Sequence, residues 1–255
     1  MKKIKKVKPV FRILIATAGV VAVLLALFYR PLPRNPFTPE DFTYEDGFLT
    51  CMTEEAIRGI DVSEHQGEID WQAVKASGVE FAIIRVGYRG YGNGALMVDE
   101  KAQINYQNAK AAGIKVGAYL FSQAISVEEA QEEAAFFLEQ VKDWELDLWA
   151  VYDWEYISAE ARTANVDALT LTKCTKAFLE MVSEAGYQPM VYFNRSQAEK
   201  RLFMHVLAEY DFWLAMYHDP IDTFAHRPDM WQYTNEGSVP GISGNVDINL
   251  WFPWQ

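Results

Sequence analysis

IKVGAYLF at Ile114–Phe121, VEEAQEEAAFFLEQV at Val127–Val141 and LWAVYDW at Leu148–Trp154 follow one another in the middle of the chain. The outer two are short runs of β-type and apolar residues, whereas the middle one repeats its apolar residues at helical period. A strand, a helix and a second strand in that order form a parallel crossover unit.

The same alternation extends in both directions. Upstream it predicts strand Gly59–Val62, helix Trp71–Ala76, strand Phe81–Gly87 and helix Glu100–Ala112. Downstream it predicts helix Leu169–Ala185, closed by Gly186, then strand Pro189–Phe193, a short helix around Gln197–Phe203 and strand Phe212–Tyr217. Beyond that the helices stop. Strand-like Met230–Thr234 and Val246–Leu250 remain, separated by the turn-forming residues from Gly237 to Gly244. About eight strands with only five or six helices predict an α/β fold, a modified TIM-type (β/α) barrel whose last helices are missing. An open doubly wound sheet competes, but no Gly-rich phosphate loop follows the first strand.

The chain has 255 residues, 50% of them apolar and 23% charged, which fits one ordinary globular domain. Residues 1–9 form a basic tail with Lys2, Lys3, Lys5, Lys6 and Lys8. From Val10 to Tyr29 the sequence is apolar except for Arg12. About 20 apolar residues in a helix match the hydrocarbon thickness of a bilayer, and basic residues ahead of such a span stay in the cytoplasm. The expectation for residues 10–29 is therefore a single transmembrane signal-anchor, with the remainder of the chain outside the cell membrane. Leu27-Phe28-Tyr29-Arg30-Pro31 lacks the small residues of a cleavage site, which favours an anchor over a cleaved signal peptide. Residues 30–57, with Pro31, Pro33, Pro36 and Pro39, read as an extended extracytoplasmic linker, and residues 58–255 as the folded domain.

With residues 1–34 set aside, 15 basic side chains face 35 acidic ones, a net of −20. That balance argues against nucleic acid and anionic lipid as the main ligand of the outer domain. The lipid bilayer is expected to be met only through the amino-terminal helix, and no protein partner can be read. Cys51 and Cys174 lack a metal-ligand spacing, and their pairing is left open. His65, His205, His218 and His226 show no repeated spacing with carboxylates. The economical reading has no metal and no cofactor.

Chemistry is sought at the carboxyl ends of barrel strands. Asp153 and Glu155 stand two apart at the end of one strand, hence on one face, with α-carbons roughly 6–7 Å apart. Crowded carboxylates repel, so one is expected to hold a proton while the other stays ionised, which is the pairing that glycosidic cleavage needs. Asp61 ends the first strand, and Asp247 lies on the closing one, so a closed barrel makes them neighbours. Tyr88, Tyr91, Tyr119, Tyr192, Trp213, Tyr217, Trp231 and Tyr233 supply aromatic faces of the kind on which sugar rings stack.

Seven segments together resemble the muramidases of glycoside hydrolase family 25: Gly59–Trp71 (GIDVSEHQGEIDW), Phe81–Tyr91 (FAIIRVGYRGY), Ala111–Ala124 (AAGIKVGAYLFSQA), Val151–Glu155 (VYDWE), Gly186–Asn194 (GYQPMVYFN), Phe212–Tyr217 (FWLAMY) and Met230–Asn249 (MWQYTNEGSVPGISGNVDIN). The resemblance implies hydrolysis, with retention, of the β-1,4 bond between N-acetylmuramic acid and N-acetylglucosamine in peptidoglycan glycan strands. It also implies Glu155 as general acid, Asp153 as partner carboxylate, and Asp61 and Asp247 as flanking acids. The substrate-binding set is Tyr88, Tyr119, Tyr192, Trp213, Tyr217 and Gln232. Asp153 would orient an attacking 2-acetamido group or act itself as nucleophile. Leu120 departs from the Tyr-His-Phe of many relatives and puts a subsite contact in doubt, and the loop His226-Arg227-Pro228-Asp229 has no assigned role. A wall-binding module without activity predicts the loss of a cleft acid, and none is lost. A chitinase-like hydrolase predicts further acids upstream, where residues 149–152 read Trp-Ala-Val-Tyr. Anchoring points to work on the cell's own wall, in remodelling or turnover.

Overall fold

The computed structural model describes residues 31–254. The expected anchor at 10–29 lies outside the described residues, and among those described no helix is long and apolar enough to cross a membrane. A hairpin of β1 (Phe42–Glu45) and β2 (Phe48–Cys51) precedes the barrel. The barrel strands are β3 (Ile57–Val62), β4 (Phe81–Arg89), β6 (Lys115–Ser122), β7 (Ala150–Trp154), β8 (Pro189–Asn194), β9 (Asp211–Ala215), β10 (Met230–Gly237) and β11 (Val246–Trp251), while β5 (Leu96–Val98) adds to the edge of β4. The helices are α1 (Trp71–Ala76), α2 (Ala102–Ala111), α3 (Val127–Val141), α4 (Ala168–Glu184) and α5 (Arg195–Lys200).

The sheet closes because β3 pairs with both β4 and β11. Strands β3 to β10 of the barrel run parallel, but β11 runs antiparallel to both of its neighbours, which corrects the expectation of a fully parallel sheet. Residues 238–245 between β10 and β11 are too few for a crossover, which needs a dozen or more, so the chain turns back on itself. The same short connection leaves no room for a helix after β10.

Local chemistry sets the helix ends. The Ser126 hydroxyl accepts from the Glu129 amide at the start of α3, with Glu128 and Glu129 in the first turn where the helix dipole favours acids. Ala130, Ala134, Phe137 and Val141 form the buried stripe of α3. Asp167 caps α4, and Gly186 follows that helix at a φ of 93°, a left-handed conformation suited to glycine.

Alternation along the strands sorts residues into two layers. Phe81, Ile83, Val151, Met190, Trp213 and Met230 fill the barrel interior, whereas Ile60, Ala82, Ile84, Leu120, Tyr152 and Phe193 pack in the outer layer. Gly59 makes room for the Phe81 ring, since a Cβ at that position would lie 2.2 Å from it. Leu120 is fully buried in the outer layer rather than at a subsite, because it alternates with inward-facing Tyr119.

Residues 31–57, expected as an extended linker, are folded against the barrel instead. Phe37, Phe48, Leu49 and Cys51 are buried, and Phe42 meets Trp231 edge to face at 5.1 Å. Phe37 packs on Phe252, with ring centres 4.5 Å apart, and the Leu49 amide donates to the Tyr233 hydroxyl at 3.3 Å. This segment covers β10 and β11, where the helices are missing. The loop at 226–229, left without a role in the sequence, is its anchor: Arg34 bridges to His226, and the Arg227 amide donates to the Pro33 carbonyl at 3.0 Å. Cys51 and Cys174 are buried unpaired thiols, one on β2 and the other in α4.

Candidate active site

The inward column of each strand ends at one mouth of the barrel. There Asp61, Tyr88, Tyr119, Asp153, Glu155, Tyr192, Trp213, Gln232 and Asp247 line a single cleft of about 520 Å³. Tyr217 does not line this cleft. It stands behind Gln232 and donates its hydroxyl to the Gln232 carbonyl oxygen at 2.6 Å. Asp61 and Asp247 are register partners across β3 and β11, so the antiparallel return brings the start of β11 to the same mouth as the end of β3. Strand β7 stops at Trp154, whose indole turns away to donate to the Ala124 carbonyl, and Glu155 follows at the mouth.

Asp61 is fixed from two sides. Its Oδ2 accepts from Gln232 Nε2 and Asn249 Nδ2, both at 2.8 Å. Behind these amides, Tyr192 donates to Gln232 Oε1 at 3.0 Å, and Trp213 Nε1 donates to Asn249 Oδ1 at 2.8 Å. Gln232 and Tyr192 thus orient an acid, which specifies the substrate-binding reading of these two residues.

The sequence reading passed over several positioning groups. Asn249 lies two residues past Asp247 on the same face of β11, and that spacing was the available signal. Arg85 interrupts the apolar run of β4 and lines the cleft, donating to Asp99 at 2.8 Å and Glu64 at 3.1 Å. An arginine inside such a strand requires partners, which marks it as more than core. Gln123 donates to the Glu155 carbonyl at 2.7 Å, and Gln197 donates to the Trp154 carbonyl, so two buried amides hold the backbone that carries the acid. Arg89, Glu133 and Ser122 form a further buried polar cluster, where burial raises the Glu133 carboxyl to about 6.

All four cleft acids have raised pKa values, with burial as the main cause. Asp153 is raised well above the ordinary range by burial together with the charges of Glu155 and Asp61, and the Arg85 guanidinium offsets only part of this. Glu155 is raised by burial and by Asp61. The expected split between one protonated and one ionised carboxyl becomes a cluster that shares protons, because the site holds four acids rather than two. Asp153 Oδ1 is buried without a hydrogen-bond partner. The ring can donate a proton and accept one hydrogen bond from a bound group, and the aromatic walls suit a sugar.

The sequence profile of glycosyl hydrolases family 25 matches residues 60–242. The chain belongs to that family. YegX of Escherichia coli K12 is 32% identical over 208 residues, covering 76% of this chain and 69% of that protein. Lysozyme M1 of Streptomyces globisporus is 27% identical over 202 residues, covering 76% and 67%. Among solved structures, the modular autolysin LytC of Streptococcus pneumoniae, in complex with a synthetic peptidoglycan ligand, is 29% identical with a TM-score of 0.69. That similarity covers 83% of this chain, which spans 52% of the autolysin's length. A family 25 hydrolase of Bacillus anthracis, 23% identical with a TM-score of 0.68, shares the fold over 86% of this chain and 96% of its own.

Two results are expected from this family 25 cleft. Asn249→Leu leaves the Trp213 indole and one side of Asp61 without partners. Since each buried orphan costs about 1–3 kcal/mol, urea unfolding should show a loss of roughly 2–5 kcal/mol, with reduced turnover. The second result concerns pH. Between the ordinary carboxylate pKa of about 4 and the raised values, the folded chain binds more protons than the unfolded one, so these acids lower stability as pH rises. Asp247, pushed up to about 9, carries much of that slope. Thermal melts from about pH 4 to about pH 8 should therefore show a flatter decline for Asp247→Asn than for the wild type. Parallel curves would remove Asp247 from the shared-proton cluster.

Proposed function

We propose that the chain is a lysozyme-type muramidase. It cuts the β-1,4 bond between N-acetylmuramic acid and N-acetylglucosamine with retention, on the outer face of the cell membrane to which residues 10–29 tether it. It serves remodelling or turnover of the cell's own wall. The observation that carries this reading is the mouth of the barrel, where Asp153 and Glu155 share an aromatic-walled cleft and both have raised pKa values.

Glu155 gives its proton to the glycosidic oxygen as the bond from that oxygen to the anomeric carbon breaks. The acetamido carbonyl oxygen of the muramic acid attacks the same carbon from the opposite face; water then adds to that carbon, breaks its bond to the acetamido oxygen and returns a proton to the Glu155 carboxylate. Asp153, which lines the cleft beside Glu155, orients the acetamido group for this attack. Asp61 and Asp247 line the same cleft and share protons with this pair. Similarity to a lysozyme and to an autolysin with a bound peptidoglycan ligand supports the choice of polymer.

The test incubates the full chain with peptidoglycan, reduces the soluble products with borohydride and reads them by mass spectrometry beside Glu155→Gln. Reduced muramic acid ends from the wild type alone are expected. Reduced glucosamine ends would move the cut to the other linkage, and an inverted anomer before reduction would reject retention.

A further inference from the structure

Strand β7 ends at Trp154, so Glu155 is the first residue beyond the ladder, and residues 155–166 cross to α4 without regular structure. A loop without ladder bonds is held only by the contacts that its own groups make. Arg162 makes several of these at once. Its guanidinium meets the Glu129 carboxylate through both Nη atoms, at 2.8 and 2.6 Å, and Nη1 also donates to the Gln123 carbonyl at 2.8 Å. Its amide donates to the Tyr91 carbonyl at 3.2 Å. Gly94 lies so close to the guanidinium that a Cβ there would stand 2.8 Å from its carbon. One residue thus fastens three loops together: 90–95 after β4, 123–126 after β6 and its own after β7.

The fastening lies directly behind Glu155. The fully buried Gln123 side chain donates to the Glu155 carbonyl at 2.7 Å and accepts from the Thr163 hydroxyl at 3.1 Å. Main chain and side chain of Gln123 are therefore both tied to the loop that carries the acid. Glu129, in the first turn of α3, also accepts from the Ile125 amide at 2.9 Å, and its own carbonyl accepts from Arg89, which holds the Gly94 carbonyl as well. Gly90, Tyr91, Glu155 and Ile157 line the cleft, whereas Arg162 does not. A two-pronged arginine–carboxylate pair fixes angle as well as distance, which a lysine cannot do. The side chains of Arg162 and Glu129 are 16% and 21% exposed, so salt and water screen the pair only in part.

We infer that Arg162 is a positioning residue, which sets the place of Glu155 at the cleft by clamping the loop after β7 to Gln123 and Glu129. The inference rests on the reading of Glu155 as proton donor, and it expects a loss of turnover from a residue that touches no substrate.

Two measurements on the full chain in non-ionic detergent test it. One is kcat and KM on soluble glycan fragments, and the other is titration of the Glu155 carboxyl by carbon NMR in chain labelled at the glutamate Cδ. The resonance of Glu155 is the one missing from Glu155→Gln. Arg162→Met should lower kcat about ten- to a hundredfold per folded molecule, the scale of a misplaced catalytic group, with KM within a few-fold of the wild type. The loosened loop admits water, and since burial is the first cause that raises the Glu155 carboxyl, it should titrate at lower pH than in the wild type. The other titratable groups that face it, Asp61, Asp153, Asp247 and Tyr192, are the same in both chains. Arg162→Lys, which keeps the charge and one of the contacts, should recover part of both effects. Should Arg162→Met not fold, Glu129→Gln removes the charge pair but leaves an oxygen for the guanidinium, and the same two effects are expected in smaller measure. A variant that melts lower but keeps the kcat and the titration of the wild type would make Arg162 structural only and overturn the inference, as would a loss confined to KM. A wild type that cuts nothing would remove the muramidase reading, and the titration would then decide the clamp by itself.

Discussion

Glu155→Gln is expected to lower kcat by about 10³-fold, the scale of a lost general acid, while KM stays within a few-fold of the wild type. The amide keeps the shape of the side chain, and the backbone beneath it remains held by Gln123 and Gln197. Removing one of four crowded acids also relieves repulsion, so the melting temperature should stay level or rise. Steady-state kinetics on soluble glycan fragments with parallel thermal melts checks both halves. A fully active variant would reassign the proton donor, with Asp153 as the next acid to test. An inactive variant with a sharply lowered melting temperature would instead make Glu155 a structural residue.

The second large effect lies outside the matched family segment. A chain beginning at Ile57 loses Phe37, Phe48 and Leu49 from the core and uncovers Trp231 and Phe252. Burial of each large apolar side chain stabilises by about 1.5–3 kcal/mol, so the total of roughly 5–10 kcal/mol rivals the whole stability of an ordinary domain. The expected result is an aggregating or non-cooperative domain, where a chain beginning at Pro31 melts cooperatively. Calorimetry of the two chains decides between them. Matching transitions would show that the barrel tolerates bare β10 and β11.

This strap shows where sequence reading stopped. Its strands have four residues each and follow a proline-rich run, so they carry no period long enough to separate them from a spacer. Their apolar residues make sense only against Trp231 and Phe252, roughly 200 residues away in the chain. The barrel itself was legible because short apolar strand runs alternate with helical segments as far as β9. For the same reason the inward acids Asp61, Asp153 and Asp247 could be placed at one mouth. The direction of β11 was hidden, since period two is the same in a parallel and an antiparallel strand, and only the length of the connection decides. Gln123, Gln197 and Asn249 escaped because an amide that orients an acid has no pattern of its own and is recognised by its partner.

The pairing of Asp61 with Asp247 has a consequence for the order in which the molecule becomes competent. One acid stands on the first strand of the barrel and the other on its last, and the amide partners of Asp61 come from β10 and β11. A chain still emerging from its site of synthesis has most of the barrel but neither closure nor a complete ring of acids. Competence arrives in one step, when the final strand docks between its two neighbours. A product shortened before Val246 is expected to lack activity, since it keeps neither Asp247 nor the Asn249 amide that holds Asp61.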